Sequence, residues 1–184
     1  MEILSQLSWL DLVIIVLLAV GVFVGFTQGA IRYALNCLVV VLAFVIAAQL
    51  RGPVAELLSF WRAFTPEGRE LLIFVLLFVG LVVGGWFAIR ALYRRTHLPI
   101  PKAADEILGG VLGLVWVALL LVFHLVVLDS FFLGEGEAGG WLAAYYEGMN
   151  GALLIEYARE ALIPTAGFLA RPFVPSDIAA LLER

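Results

Sequence analysis

The stretch ILGGVLGLVWVALLLVFHLVVL, Ile107 to Leu128, decides the fold. Its 22 residues carry one ionisable group, His124. Wound as an α-helix they rise about 33 Å at about 1.5 Å per residue, enough to cross a hydrocarbon core about 30 Å thick. A helix that is apolar on every side belongs in the centre of a large protein or in a bilayer. Three more runs repeat the pattern, Leu10–Phe26, Tyr33–Leu50 and Leu71–Ile89, and the first reaches spanning length by adding Trp9 and Gln28. Together the four hold more than a third of the 184 residues, so a single buried core cannot house them.

Composition points the same way. Hydrophobic residues make up 64% of the chain, charged residues 14%, and the mean hydropathy is +1.07, beyond what a water-facing surface of this size tolerates. The expected fold is all-α: an integral membrane protein with four transmembrane helices plus interfacial amphipathic helices. Residues 1–130 form the four-helix transmembrane domain and 131–184 a C-terminal amphipathic interfacial tail. Residues 1–8 contain Glu2 and no Lys or Arg, and no A-x-A site follows the first run before Arg32. The first run is therefore expected to be retained as a span, not removed as a secretory signal. A single cysteine, Cys37, excludes an intramolecular disulfide and the usual thiol metal spacings.

The connections are uneven. Thr27 to Arg32 separates the first two runs and contains Gly29, which predicts a tight helical hairpin. Arg51 to Glu70 is longer and reads as a short surface helix, with Pro53 in its first turn and Phe60 and Trp61 at headgroup level. Thr65, Pro66 and Glu67 then supply an N-cap, a first-turn proline and an acid for the third span. Pro99 and Pro101 exclude regular helix before the fourth span, which Asp105 and Glu106 introduce. Beyond Asp129, Gly134 to Gly140 leads to an amphipathic segment, Trp141 to Leu162, too polar to span and expected to rest at the interface. A short last helix is expected near Asp177–Leu182. Arg32, Arg90, Arg94, Arg95 and Lys102 outnumber Arg51, Arg62 and Arg69 on the opposite side, which predicts cytoplasmic first and third loops and both termini outside.

Small residues recur at helical spacing. Gly21, Gly25 and Gly29 lie four apart, echoed by Gly80 with Gly84 and by Gly109 with Gly113, a glycine-zipper pattern that lets helix backbones approach where lipid gives no hydrophobic drive. It serves packing within the chain or a self-association face. Ionisable groups inside spans are costly and attract functional readings. Asp11 sits three residues after Ser8, the spacing of a capping box. His124 and Asp129 lie near the outer end of the fourth span, on the same membrane side as Asp11. With Asn36 these residues form a candidate polar path, against the plainer reading of caps and interhelical hydrogen bonds. The sequence lacks G-x-x-x-x-G-K-[ST], H-E-x-x-H and G-x-S-x-G, so enzyme activity, a metal and a cofactor are not expected. The basic cluster Arg90–Lys102 beside a span suits anionic headgroups, not nucleic acid. Expected partners are the lipid bilayer and either a second copy or another membrane protein.

Trp9-Leu10-Asp11, a span, then Gly29-Ala30-Ile31-Arg32 resembles the opening of the colicin V production protein (CvpA) family, with an acid starting the first helix and a Gly-x-x-Arg turn closing it. Asp105 to Gly113 is similar to the family's Asp-x-x-Leu-Gly-x-x-x-Gly segment, which opens its last helix. Gln28 stands where a basic residue often precedes the turn glycine, and Tyr33 replaces an acid common after the arginine. The resemblance covers about Trp9 to Asp129 and marks Asp11, Gly29, Arg32, Asp105, Gly109 and Gly113. It implies a bacterial inner-membrane protein linked to colicin V production or export and to envelope homeostasis. The same four-helix unit anchors periplasmic serine proteases in related proteins, which implies an anchor or assembly role. On this reading the chain is a non-enzymatic scaffold or accessory factor, with a small oligomeric channel or transporter using Asp11, His124 and Asp129 as the alternative.

Overall fold

A computed structural model describes residues 8–60, 66–92, 101–132 and 141–165. Every regular element among them is helical: α1 (Trp9–Gln28), α2 (Ala30–Leu57), α3 (Pro66–Leu92), α4 (Lys102–Phe132), α5 (Trp141–Asn150) and α6 (Leu153–Tyr157), the last continued by a π-helical turn, Ala158–Leu162. The first four are long and apolar enough to cross a membrane, over Trp9–Gln28, Ala30–Leu57, Arg69–Leu92 and Lys102–Asp129. Thr65, Trp61, Arg62, Arg94, Arg95, residues 134–140 and the helix expected near Asp177–Leu182 lie outside the described residues.

The bundle is layered as α1, α4, α2, α3, each helix packing mainly on its neighbours in that order. α1 meets α4 backbone to backbone. A Cβ added to Gly25 would come within 2.2 Å of the Gly109 carbonyl oxygen, and one added to Gly113 within 2.0 Å of the Gly21 oxygen. Pairing of 21 with 113, 25 with 109 and 29 with 105 makes the two helices antiparallel. α2 runs parallel to α4, held by Phe44 stacked on Phe123 at 4.1 Å and by the Cys37 thiol donating to the Leu112 carbonyl at 3.5 Å. Phe74 and Phe78 of α3 close this aromatic cluster edge-on against Phe44, at 5.6 and 6.3 Å. Such pairs add dispersion and quadrupole attraction where burial from lipid adds little.

Three sequence expectations meet a different geometry. α1 and α2 turn on the single residue Gly29 (φ 84°), yet they pack little on each other, because the glycine faces draw α1 onto α4. The second span does not end at Leu50 before a separate surface helix: α2 passes through Arg51, Gly52 and Pro53 to Leu57. Proline there costs the hydrogen bond to the Gln49 carbonyl. Helical register survives because Ala55, buried beyond the proline, continues the buried row of Val40, Phe44, Ala47 and Ala48. The tail also does more than rest on the membrane. Met149, Ala152, Ile155, Ala158 and Ile163 join the same buried cluster as Leu10, Ile14, Leu125 and Leu128, so the amphipathic segment caps the end of the bundle.

Gly80 and Gly84 have no heavy atom within 4 Å of an added Cβ, and they share the outward face of α3 with the exposed Leu76, Val83 and Phe87. Internal and outward glycines should therefore respond differently. Gly25→Leu forces α1 off α4 and is expected to destabilise by about 3 kcal/mol, the upper end for overpacking. Gly80→Leu should change monomer stability by less than about 0.5 kcal/mol. Equal losses for the two variants in a denaturant titration in micelles would contradict this division.

Candidate functional site

Among the described residues, the starts of α6 and α2 have no capping side chain of their own. α6 begins after Ala152 and α2 after Gly29, neither of which supplies an acceptor to the orphan amides of the first turn. Each start is capped by an aspartate from a different helix.

Asp11 is fully buried. Its Oδ2 accepts from the Ser8 amide at 2.9 Å while Ser8 Oγ accepts from the Asp11 amide at 3.3 Å, which is the capping box of α1. The same carboxylate also accepts from Leu153 N (3.3 Å, Oδ2) and Leu154 N (2.9 Å, Oδ1), so it caps α1 and α6 together. Both helix N-termini direct partial positive charge at it, which keeps a buried anion tolerable. At the opposite end of the bundle Asp105, 6% exposed in the first turn of α4, accepts from Ala30 N at 3.0 Å and caps α2. Gly29 is needed here twice. Its φ of 84° suits glycine, and a Cβ would meet Asp105 Oδ2 at 2.7 Å. Gly29 and Asp105, far apart in sequence, therefore meet at one end of the α1–α2–α4 junction, with Arg32 in the first turn of α2 and Gly109 and Gly113 one and two turns further along α4.

The end that holds Asp11 carries a second latch. Asp129 of α4 accepts from Arg159 Nη2 at 2.7 Å and from the Tyr146 hydroxyl at 3.0 Å, and Arg159 Nη1 donates to Asn150 Oδ1 at 2.5 Å. The Arg159 guanidinium also lies over the Tyr146 ring at 5.6 Å. One turn earlier, His124 Nε2 and the Tyr145 hydroxyl are hydrogen-bonded at 3.1 Å. Burial pushes the Tyr146 hydroxyl above its ordinary pKa, reinforced by its bond to Asp129 and that negative charge, with Arg159 pulling the other way.

Between α1 and α3, which stand apart, an apolar groove of about 710 Å³ runs over α4 and α2. His124 and Tyr145 mark one end of it; Gln28, Asn36 and Trp86 mark the other. Those last three also line a polar hollow of about 610 Å³ that Arg32 and Arg90 complete. Of the candidate polar-path residues, Asn36 and His124 line the groove, whereas Asp11 and Asp129 are engaged in the clamps and do not. Among the described residues no group of three or more His, Cys, Asp or Glu is placed to hold a metal ion. Sequence reasoning missed the Arg159 latch and the groove, because both depend on where the tail and α3 pack.

These features define a multi-pass α-helical membrane protein whose small-residue crossing is locked at both ends by aspartates. A family model described as Colicin V production protein matches residues 10–149, and the chain belongs to that family. The match extends past the fourth span into α5, which packs on the Asp11 end. No curated protein and no solved structure matches the chain.

Asp11→Ala would leave the Ser8, Leu153 and Leu154 amides without their acceptor, at about 3 kcal/mol given about 1–3 kcal/mol per unsatisfied buried group. Tail proteolysis should accelerate in that variant while Ser8→Ala, which removes one cap bond worth about 1 kcal/mol, changes it little. Unaltered proteolysis in Asp11→Ala would refute the clamp. For Tyr146 the folded pKa exceeds the unfolded one, so its contribution is fully present below the ordinary tyrosine pKa of about 10 and is lost as pH rises through the raised value. Tyrosinate absorbance, differenced against Tyr146→Phe, should show late ionisation that Asp129→Asn brings down. Titration at or below about 10 in the native protein would argue against the bond.

Proposed function

We propose that the protein is a non-enzymatic scaffold or accessory factor of the bacterial inner membrane, working in colicin V production or export and in envelope homeostasis, with both termini on the periplasmic side. Membership of a family described as Colicin V production protein supports the link to colicin V. The observation that carries the scaffold reading is the outward face of α3, where Gly80 and Gly84 lie open beside Leu76, Val83 and Phe87. The glycines of α1 and α4 are spent on the crossing inside the chain, while this second pair offers a helix of another subunit the same close approach. The carboxylates support the reading as well, since the buried Asp11 and Asp105 accept backbone amides and the partly buried Asp129 holds the tail.

The test is subunit stoichiometry in lipid nanodiscs by native mass spectrometry. The native chain should give a defined assembly, with itself or with a co-purifying membrane protein, and the Gly80→Leu, Gly84→Leu double variant should release folded monomer. A native chain that is monomeric and alone, or an assembly indifferent to the double variant, would remove α3 as the assembly face.

A further inference from the structure

We infer that the groove between α1 and α3 is a binding site for one anionic phospholipid, with an acyl chain laid along the groove and the phosphate at the mouth where Arg90 stands. This goes beyond the scaffold reading and does not depend on it. The groove and the polar hollow share Gln28, Asn36 and Trp86, so the apolar channel opens directly into the basic end. That is the layout of an amphiphile: a long hydrocarbon portion and one charged head. The volume of about 710 Å³ falls within the range of small-molecule sites, about 300–1,000 Å³. It is also open sideways to the bilayer, because Leu17, Val20 and Val79 on its two walls are each about half exposed.

Charge selects the occupant. Arg90 is held over the Trp86 ring at 5.2 Å, which fixes its guanidinium at the mouth of the hollow. Gln28 and Asn36 add amide donors suited to phosphate or glycerol oxygens. Glu106 lies 3.6 Å from the Lys102 ammonium, and Arg90 is the cation that meets the Trp86 ring at the mouth. A second copy of this chain fits worse as occupant. Copies in one membrane share an orientation, so a copy docked at the groove would bring its own Arg90 to the level of the first. Basic pockets between spans on the cytoplasmic side are where anionic headgroups bind, and the arginine distribution predicts that side for this mouth.

The full chain, purified in detergent, is titrated with phosphatidylglycerol or phosphatidylcholine of the same acyl length, and retained lipid is counted by native mass spectrometry. One phosphatidylglycerol per chain is expected, bound at least about fivefold more tightly than phosphatidylcholine, the selectivity of about one well-placed arginine. Arg90→Gln should erase that preference while leaving apolar retention, and Val79→Trp, which fills the groove from an exposed position, should lower retention of both lipids. Brominated acyl chains should quench Trp86 in a variant with Trp9, Trp61, Trp116 and Trp141 changed to Phe, more strongly from phosphatidylglycerol. Equal binding of the two lipids, indifference to Arg90→Gln and Val79→Trp, or protection of the groove by a second copy would each overturn the assignment. The stoichiometry of the Gly80→Leu, Gly84→Leu variant is read separately, so failure here leaves the assembly face standing.

Discussion

How closely α1 can approach α4 governs the rest of this bundle. In lipid, burying a leucine against another leucine gains little over burying it against acyl chains, so helices stay together through close packing and hydrogen bonds. The glycines at 21, 25, 109 and 113 bring two backbones into contact, where an added Cβ would sit 2.0–2.4 Å from a neighbouring atom. That approach sets the antiparallel register of α1 on α4, and the register fixes what meets at each end. Gly29 arrives at Asp105, and Asp11 arrives beside the incoming tail.

The two aspartates solve a problem that the close crossing creates. Bringing α1 and α4 together fixes the chain reversal after α1 and the tail's return to the Asp11 end in confined space, so helix starts fall where water is scarce and no local side chain can cap them. An uncapped amide in such a place costs about 1–3 kcal/mol, and a carboxylate that accepts several amides at once recovers more than a neutral acceptor does. Asp11 serves three amides from two helices and Asp105 serves Ala30. A buried acid in a span is commonly read as a site of transport or catalysis. Here the geometry assigns the charge to joining segments distant in sequence, and Asp129 does the same through Arg159 and Tyr146.

Sequence reasoning reached the spans, the Ser8–Asp11 box and the turn at Gly29 because each is a local pattern of length, spacing or residue type. It separated poorly where the answer lay in another segment. Gly80 and Gly84 carry the same spacing as Gly109 and Gly113, yet one pair faces outward and the other meets a backbone. Nothing in spacing alone tells which glycine face finds a partner within the chain. Pro53 misled for a related reason: a proline after Arg51 and Gly52 marks a helix start by local rules, but packing of Ala55 in the row begun by Val40 keeps α2 continuous. The docking of the tail was equally illegible: Met149 of α5, Ala152 in the break and Ile155 of α6 share no single helical period, yet all three are buried against the bundle.

The layered order α1, α4, α2, α3 has a further consequence for the bilayer. A four-helix bundle arranged as a ring closes on itself and leaves lipid outside. An arrangement in which α1 and α3 occupy opposite flanks leaves an apolar groove between them, and close-packed surroundings do not tolerate an empty slot of that size because its walls lose their dispersion contacts. Hydrocarbon must fill it, and Arg90 stands at its mouth. The glycine crossing that holds α1 on α4, and so away from α3, is thus also what keeps the groove open.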